Sequence, residues 1–369
     1  MKILILVHAL TGGGAERVAA SWANGLSKRG HSVYVMTNMT KPQTYETSSA
    51  VKLVHIDACK IEKGSLFELI KAKLLNPFKT FVQIRSFINC ENPDVIINVL
   101  YYETYAVLMG CFFAKNKVKL IQTDHNAYER PKGNGFSCIQ WRNKFIDNRF
   151  FDKVTVLAHA DKEILNKKGI RHVDVLHNPL FLTPVSEVPE KEKIVLAAGR
   201  INQWHVKGFD VLLKAWKTVS IHCPEWKLRI VGDGDAATIN MLKKLAGNAV
   251  GSIEFVPYTP NIRDEYHKAS IFVLSSRYEG WGLVMIEAMS QGCAVVACDY
   301  KGRQAEAIKD HVNGLICMPD NAEELASKIK ELVNNTLLRQ RLQNEGIKSV
   351  FQYSEENVAI NIERLINSI

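Results

Sequence analysis

Two glutamates bracket a glycine-rich turn in Glu279-Gly-Trp-Gly-Leu-Val-Met-Ile-Glu287. The turn opens a helix at Gly282–Leu283, and a helix start offers N–H groups and a positive dipole end to an anion. Glu287, about one turn in, can reach hydroxyls beside that anion. Glu279 stands before the turn, able to accept hydrogen bonds from hydroxyls on the far side. Such a site suits a diphosphate carrying a sugar at each end. Glu287 lies among Val284, Met285, Ile286, Ala288 and Met289, which argues against an idle solvated carboxylate. Two cations, in Gly199-Arg200 and Lys207-Gly208, follow the first apolar run of the same half. Arg presents a fork of donors to phosphate and Lys a point charge. Lys207-Gly208 reads as the opening of a helix.

Three further motifs are less decisive. Gly12-Gly13-Gly14-Ala15-Glu16-Arg17 directly follows the first apolar run, where glycines let a backbone pass close to a ligand at a helix start. It is not GxGxxG, and no acidic residue ends the second run Ser32–Met36, so a dinucleotide site is disfavoured. Thr123-Asp124-His125-Asn126 ends a predicted strand, where ligands of open α/β sheets gather. His125 could serve a substrate or be structural, and the sequence leaves open whether it or Asp124 matters. Gly232-Asp233-Gly234-Asp235 resembles a divalent-metal motif but reads better as a turn and a helix N-cap. No metal and no separate cofactor is expected.

These motifs need strand ends and helix starts to hold them. Short apolar runs alternate with helical patterns along the chain, the signature of parallel sheets with crossover helices. Predicted strands include Ile3–Val7, Val51–Ile56, Val95–Val99 and Lys119–Thr123, then after a restart Lys193–Ala198, Lys227–Val231, Ile271–Leu274 and Ala294–Ala297. Helices fit Ala15–Lys28, Leu66–Ile88, Gly208–Ser220 and Leu283–Ser290. A Pro- and charge-rich stretch from Pro179 to Glu192 is the best linker. It gives a first domain over 1–180, a second over 181–352, and a closing helix within 353–369. At 369 residues the chain is long enough for two such domains. Residues 1–180 hold 25 Lys+Arg and 15 Asp+Glu, whereas 181–369 hold 22 and 23. The two domains should therefore meet different partners, with a phosphate-rich or anionic-membrane partner for the first. The eight cysteines lack paired spacing, so neither a zinc site nor a disulfide framework is expected. No run reaches the ~20 apolar residues of a membrane span. The opening run lacks a signal-peptide cleavage site, and the protein is expected in the cytosol.

Taken together, these residues resemble the family 4 glycosyltransferases. The resemblance covers essentially the whole chain, adding His177-Asn178-Pro179 and Asn313-Gly314-Leu315 to the motifs above. It implies the α/β GT-B fold, two facing Rossmann-like domains with a C-terminal helix crossing back to the first. It also implies a retaining, metal-independent transfer from a nucleotide sugar, UDP on family grounds. Arg200 and Lys207 would bind the donor diphosphate and stabilise the departing nucleotide, Glu287 the ribose, and Glu279 the transferred sugar, which His125 would contact. Gly13, Gly14, Gly232, Gly280, Gly282 and Leu283 would line the donor. Attack from the front face, with a donor phosphate oxygen taking the acceptor proton, is the usual proposal for such enzymes. Tyr300-Lys-Gly-Arg-Gln-Ala-Glu306 departs from the Gly-Pro pair many members carry before an acidic residue, which bears on the choice of sugar.

The acceptor is expected to be a saccharide, often linked to a polyprenyl diphosphate in similar enzymes, and not a nucleic acid. The stretch Leu66–Ile88 mixes aromatic residues with Lys71, Lys73, Lys79 and Arg85. It suits an anionic membrane surface or a partly buried helix equally, with Pro77 expected to break or kink it. Two alternatives are a GT-B 2-epimerase, active without acceptor, and a non-catalytic nucleotide-sugar-binding protein.

Overall fold

Runs such as Ile3–Leu6 and Val95–Val99 are buried throughout, as strands covered by helices on both faces must be. The computed structural model describes residues 1–37, 43–56, 66–101, 104–129 and 138–369, with the side chains of 66–76 and 138–140 outside that description. The chain divides into two units, Met1–Pro179 with Glu355–Ile369, and Leu180–Ser354.

Unit 1 runs β1 (Lys2–Leu6), α1 (Gly14–Lys28), β2 (Ser32–Thr37), β3 (Lys52–His55), α2 (Leu66–Glu91), β4 (Val95–Val99), α3 (Thr104–Phe112), β5 (Lys119–Thr123), α4 (Cys138–Phe145), β6 (Lys153–Val156), α5 (His159–Lys167) and β7 (Val173–Val175). Its parallel sheet has the order β3-β2-β1-β4-β5-β6-β7. Unit 2 runs β8 (Glu192–Ala198), α6 (Trp204–Lys207), α7 (Phe209–His222), β9 (Lys227–Val231), α8 (Ala236–Ala246), β10 (Ile253–Val256), α9 (Ile262–Lys268), β11 (Ala269–Leu274), α10 (Leu283–Ser290), β12 (Ala294–Cys298), β13 (Leu315–Cys317), α11 (Ala322–Asn334) and α12 (Thr336–Ser349). Its sheet, β10-β9-β8-β11-β12-β13, is also parallel. Both orders reverse direction once, between β1 and β4 and between β8 and β11. Ligands of open α/β sheets bind at the carboxyl ends of strands flanking such a switch point.

Several readings are corrected. Gly208, in left-handed conformation at φ 65°, does open a helix as the N-cap of α7, but Lys207 ends the short α6, which the sequence does not indicate. Pro77 does not break α2, which runs on to Glu91. The helices α4 and α12, unforeseen in the sequence, are present. Of the cysteines, Cys59 and the Cys138 side chain lie outside the described residues. The other six are free thiols, four of them buried.

The closing helix, α13 (Glu355–Asn367), belongs to unit 1. It buries Val358, Ala359, Ile362, Leu365 and Ile366, and it packs so close to α1 that a Cβ on Gly25 would sit 3.1 Å from that of Ala359. Polar contacts fix its register. Lys28 and Ser21 reach Glu355 at 2.6 and 3.0 Å, and Arg29 grips both oxygens of Glu363 at 2.7 Å while His31 Nε2 lies 2.7 Å away. The Arg29 hydrogen bonds, with His31 and against burial, hold the Glu363 carboxyl down at about 2. A depressed carboxyl pKa stabilises the fold above its unfolded value, and that contribution is lost as pH falls through the folded value. The stability difference between wild type and Glu363→Gln in acid titrations is therefore expected to hold above the ordinary glutamate value of ~4.3 and vanish near pH 2. A difference independent of pH would contradict this role of Glu363.

Candidate active site

In unit 2, the ends of β8 and β9 press together. A Cβ on Gly232 would lie 1.9 Å from the Gly199 carbonyl oxygen, so Gly232 is needed for this approach. Ile201 N donates to Asp233 O at 2.7 Å, and Asp235 N to Asn202 Oδ1 at 2.9 Å, which fixes the turn bearing Arg200. Arg200 is exposed there, and the methylenes of Lys207 lie 3.3–3.4 Å from a Cβ built on its neighbour Gly199. Asp235 is the N-cap of α8, accepting from Thr238 N at 2.7 Å, in keeping with a turn followed by a helix cap.

The end of β11 supplies the opposing wall. Lys207 Nζ meets Glu279 Oε2 at 2.7 Å, a pair 72 residues apart in sequence. Both side chains are about one-fifth exposed, so the pair is open to solvent on one side. Its position follows from a dense set of contacts behind it. The Ser275 hydroxyl donates to Lys207 O at 2.8 Å, and a Cβ on Gly208 would lie 1.9 Å from Ser275 O. Arg277, buried, donates to both Asp210 oxygens at 2.7 and 2.8 Å and to His205 O at 2.6 Å, and also reaches Asp320 at 2.5 Å. Burial alone would raise the Asp210 pKa; the bonds and charge of Arg277 outweigh it and hold the carboxyl below its ordinary value. The clamp thus joins the α6–α7 corner to the Ser275–Glu279 loop. It was not recognised in the sequence, where an Arg and an Asp 67 residues apart give no pairing signal.

Beyond Glu279, Gly280 is buried and Trp281 packs edge-on against Tyr353, with ring centroids 5.4 Å apart. Gly282, at φ 88°, takes a left-handed turn that L-residues avoid, and α10 starts at Leu283. Glu287 is 4% exposed in that helix, within 3.4 Å of the Tyr266 hydroxyl. A nearly buried carboxylate inside an apolar helix is a site for a specific donor group. Arg200, Lys207, Glu279, Gly282, Leu283 and Glu287 thus all lie in unit 2, in the segments that follow β8 and β11 or on α10. Gly232 acts in packing behind them.

Unit 1 places its motifs at the ends of β1, β5 and β7. Gly12 is left-handed at φ 91°, Gly13 caps α1 without a side chain, and Gly14 begins the helix. Glu16, in the first turn, already puts a carboxylate at this helix start. The structure also separates Asp124 from His125. Asp124 is 2% exposed, paired with Lys144 at 3.0 Å and accepting from the Tyr101 hydroxyl at 3.1 Å, so it serves a buried polar cluster. His125 is half-buried against Trp22, and its Nδ1 donates to Asn178 Oδ1 at 2.8 Å. Burial lowers its pKa against the upward pull of Asn178 and Asp124, which keeps the ring neutral near pH 7.

The chain matches known proteins over most of its length. The model of Glycosyltransferase Family 4 matches residues 12–182, and that of Glycosyl transferases group 1 matches residues 181–349. An α-1,4-N-acetyl-D-galactosaminyltransferase of Campylobacter jejuni, named for a diNAcBac-PP-undecaprenol-linked acceptor, is 26% identical over 94% of this chain and 92% of its own. The amylovoran biosynthesis glycosyltransferase AmsD of Erwinia amylovora is 27% identical over 99% of both. A crystal structure of S. aureus TarM in complex with fondaparinux, α-GlcNAc-glycerol and UDP superimposes with TM-score 0.77 at 16% identity, over 99% of both chains. Two parallel-sheet units whose first six strands follow the same order, with a seventh in unit 1, the carboxylates and cations near the switch point of unit 2, and these matches over residues 12–349 place the chain in the family 4 glycosyltransferases, with the GT-B fold.

Proposed function

We propose that the protein is a retaining, metal-independent transferase moving a hexosyl or N-acetylhexosaminyl group from a UDP-sugar to a saccharide on a polyprenyl diphosphate. The Lys207–Glu279 pair beside the start of α10 carries this reading. In the donor complex, Lys207 and Arg200 neutralise the diphosphate as its bond to C1 of the sugar breaks, where negative charge develops. The N–H groups at Leu283 face the same charge. Glu287 accepts from the ribose hydroxyls. Glu279 accepts from hydroxyls of the transferred sugar, and its bond to Lys207 sets the carboxylate's orientation. The neutral His125 is a hydrogen-bond partner for a sugar hydroxyl. The undecaprenol-linked acceptor in the name of the C. jejuni relative supports the acceptor class, and the UDP in the TarM crystal supports the nucleotide.

Turnover of UDP- and GDP-sugars with a short lipid-diphosphate saccharide, in EDTA, tests the proposal. Release of UDP is expected to survive EDTA and to fall about 10–100-fold in Glu279→Ala, the loss of a charge-assisted hydrogen bond of ~1.5–3 kcal/mol. Activity abolished by EDTA and restored by Mn²⁺ would overturn metal independence. Turnover of GDP donors alone would overturn UDP.

A further inference from the structure

The helix α3, Thr-Tyr-Ala-Val-Leu-Met-Gly-Cys-Phe, is apolar nearly all round. Such a helix normally lies buried, yet this one shows an aromatic face to solvent. Tyr105 is 59% exposed and Phe112, two turns on and on the same face, 80%. The surface continues onto α2 through a chain of rings: Phe112 to Phe113 at 5.0 Å, Phe113 to Phe81 at 6.0 Å, and Phe81 to the exposed Phe78 at 5.8 Å. Gly110 makes this register possible, since a Cβ there would come within 2.8 Å of Ile84 on α2. At the other end, the Arg142 guanidinium lies 6.0 Å from the Tyr105 ring, next to the exposed Trp141.

Within the two stretches that carry these rings the charges are of one sign, while Asp152 lies near Cys111 and Asp147 pairs with Arg142. Residues 77–90 and 104–119 hold Lys79, Arg85, Lys115, Lys117 and Lys119, and no Asp or Glu. All five are exposed. Exposed contiguous aromatic surface marks an interaction site, and a cationic rim selects an anionic partner. Aromatic rings that insert at headgroup depth, with lysines beside them, are the chemistry of an anionic bilayer surface. No described helix is long and apolar enough to cross a membrane, so the contact is one of lying on the surface.

We propose that the α2–α3 face of unit 1, centred on Phe112 and Phe113, docks the protein on anionic lipid. The proposal deepens the lipid-linked acceptor reading by naming how the enzyme meets the membrane that holds such an acceptor. Its test is independent of turnover. The full chain is mixed with phosphatidylcholine vesicles, with or without phosphatidylglycerol, and floated on a gradient at low salt. Wild type is expected to float with the anionic vesicles and at least about tenfold less with neutral ones. Phe112→Ser with Phe113→Ser should abolish flotation, and Lys115→Glu with Lys117→Glu should weaken it by about fivefold for each lysine reversed. Phe351→Ser, at an exposed aromatic of unit 2, should leave it unchanged. Circular dichroism of each variant checks folding. Absence of wild-type flotation, or flotation untouched by both double variants, overturns the proposal. So does a dimer in sedimentation that the phenylalanine variants disperse without any vesicle binding, which would make the face a contact between two copies. Flotation as expected in a protein without transferase activity would retain the docking face and reject the proposed function instead.

Discussion

Replacing Asp210 by Ala is expected to destabilise unit 2 by about 3–5 kcal/mol, because it leaves the Arg277 guanidinium buried without its carboxylate. The loss is larger than that of an exposed ion pair for two reasons. Arg277 is 8% exposed, and the carboxylate accepts from both Nη atoms in a paired geometry. Asp320 contacts Arg277 as well, but its side chain is more than half exposed and cannot replace the buried partner. Replacing both ends, Asp210→Leu with Arg277→Met, should recover much of the stability, since two apolar groups need no partner. The double variant should remain nearly inactive, because nothing then holds the α6–α7 corner to the Ser275–Glu279 loop. Urea unfolding with parallel assays of UDP release measures both effects. Equal loss of stability in the single and double variants would show that the clamp is not the source of the stabilisation. The depressed Asp210 carboxyl also gives a sign for pH: the contribution is present above the ordinary Asp value of ~3.9 and declines as pH falls below it.

The second large effect falls on the rate. Lys207→Ala is expected to lower kcat by about 10²–10³, equivalent to ~3–4 kcal/mol, while unfolding stability changes little. The lysine is partly exposed, and its partner Glu279 is equally exposed, so the pair contributes little to the fold. Its value lies in the charge it presents to the leaving diphosphate. Lys207→Arg should recover only part of the rate, because a planar fork cannot occupy the place of a compact ammonium against Glu279. Steady-state kinetics with saturating donor separates the terms. A rise in KM with unchanged kcat would mean that Lys207 binds donor and transition state alike.

Much of this arrangement was written in the residues. Val95–Val99 and Lys119–Thr123 form strands with the boundaries their apolar runs indicate, and Leu283–Ser290 forms the helix its glycine turn announces. Local rules suffice there because strand and helix signals depend on neighbours in sequence. The same rules failed where partners are distant. The start of α7 at Gly208 is legible, but the short α6 that ends at Lys207 is not, and only the approach of Ser275 O shows why glycine must stand at position 208. The helix α12 escaped notice because Thr336–Ser349 is mostly polar, its few apolar groups being placed by packing rather than period. The choice between Asp124 and His125 needed Lys144, 20 residues on, to pair with the aspartate. Arg277 and Asp210 read as ordinary charges until folding buries them together.

The membership of α13 in unit 1 has a consequence for synthesis. Unit 2 is one continuous stretch, Leu180–Ser354, whereas unit 1 is interrupted by it. A ribosome delivers β1 through β7 first, yet the face of α1 around Gly25 stays uncovered until Glu355–Asn367 has emerged. The half made first is completed last, after all of unit 2 has been translated and has had time to fold as a unit. Nascent chains halted before Glu355 should therefore carry a finished unit 2 beside an unfinished unit 1, whose bare helix is a target for chaperones during that interval.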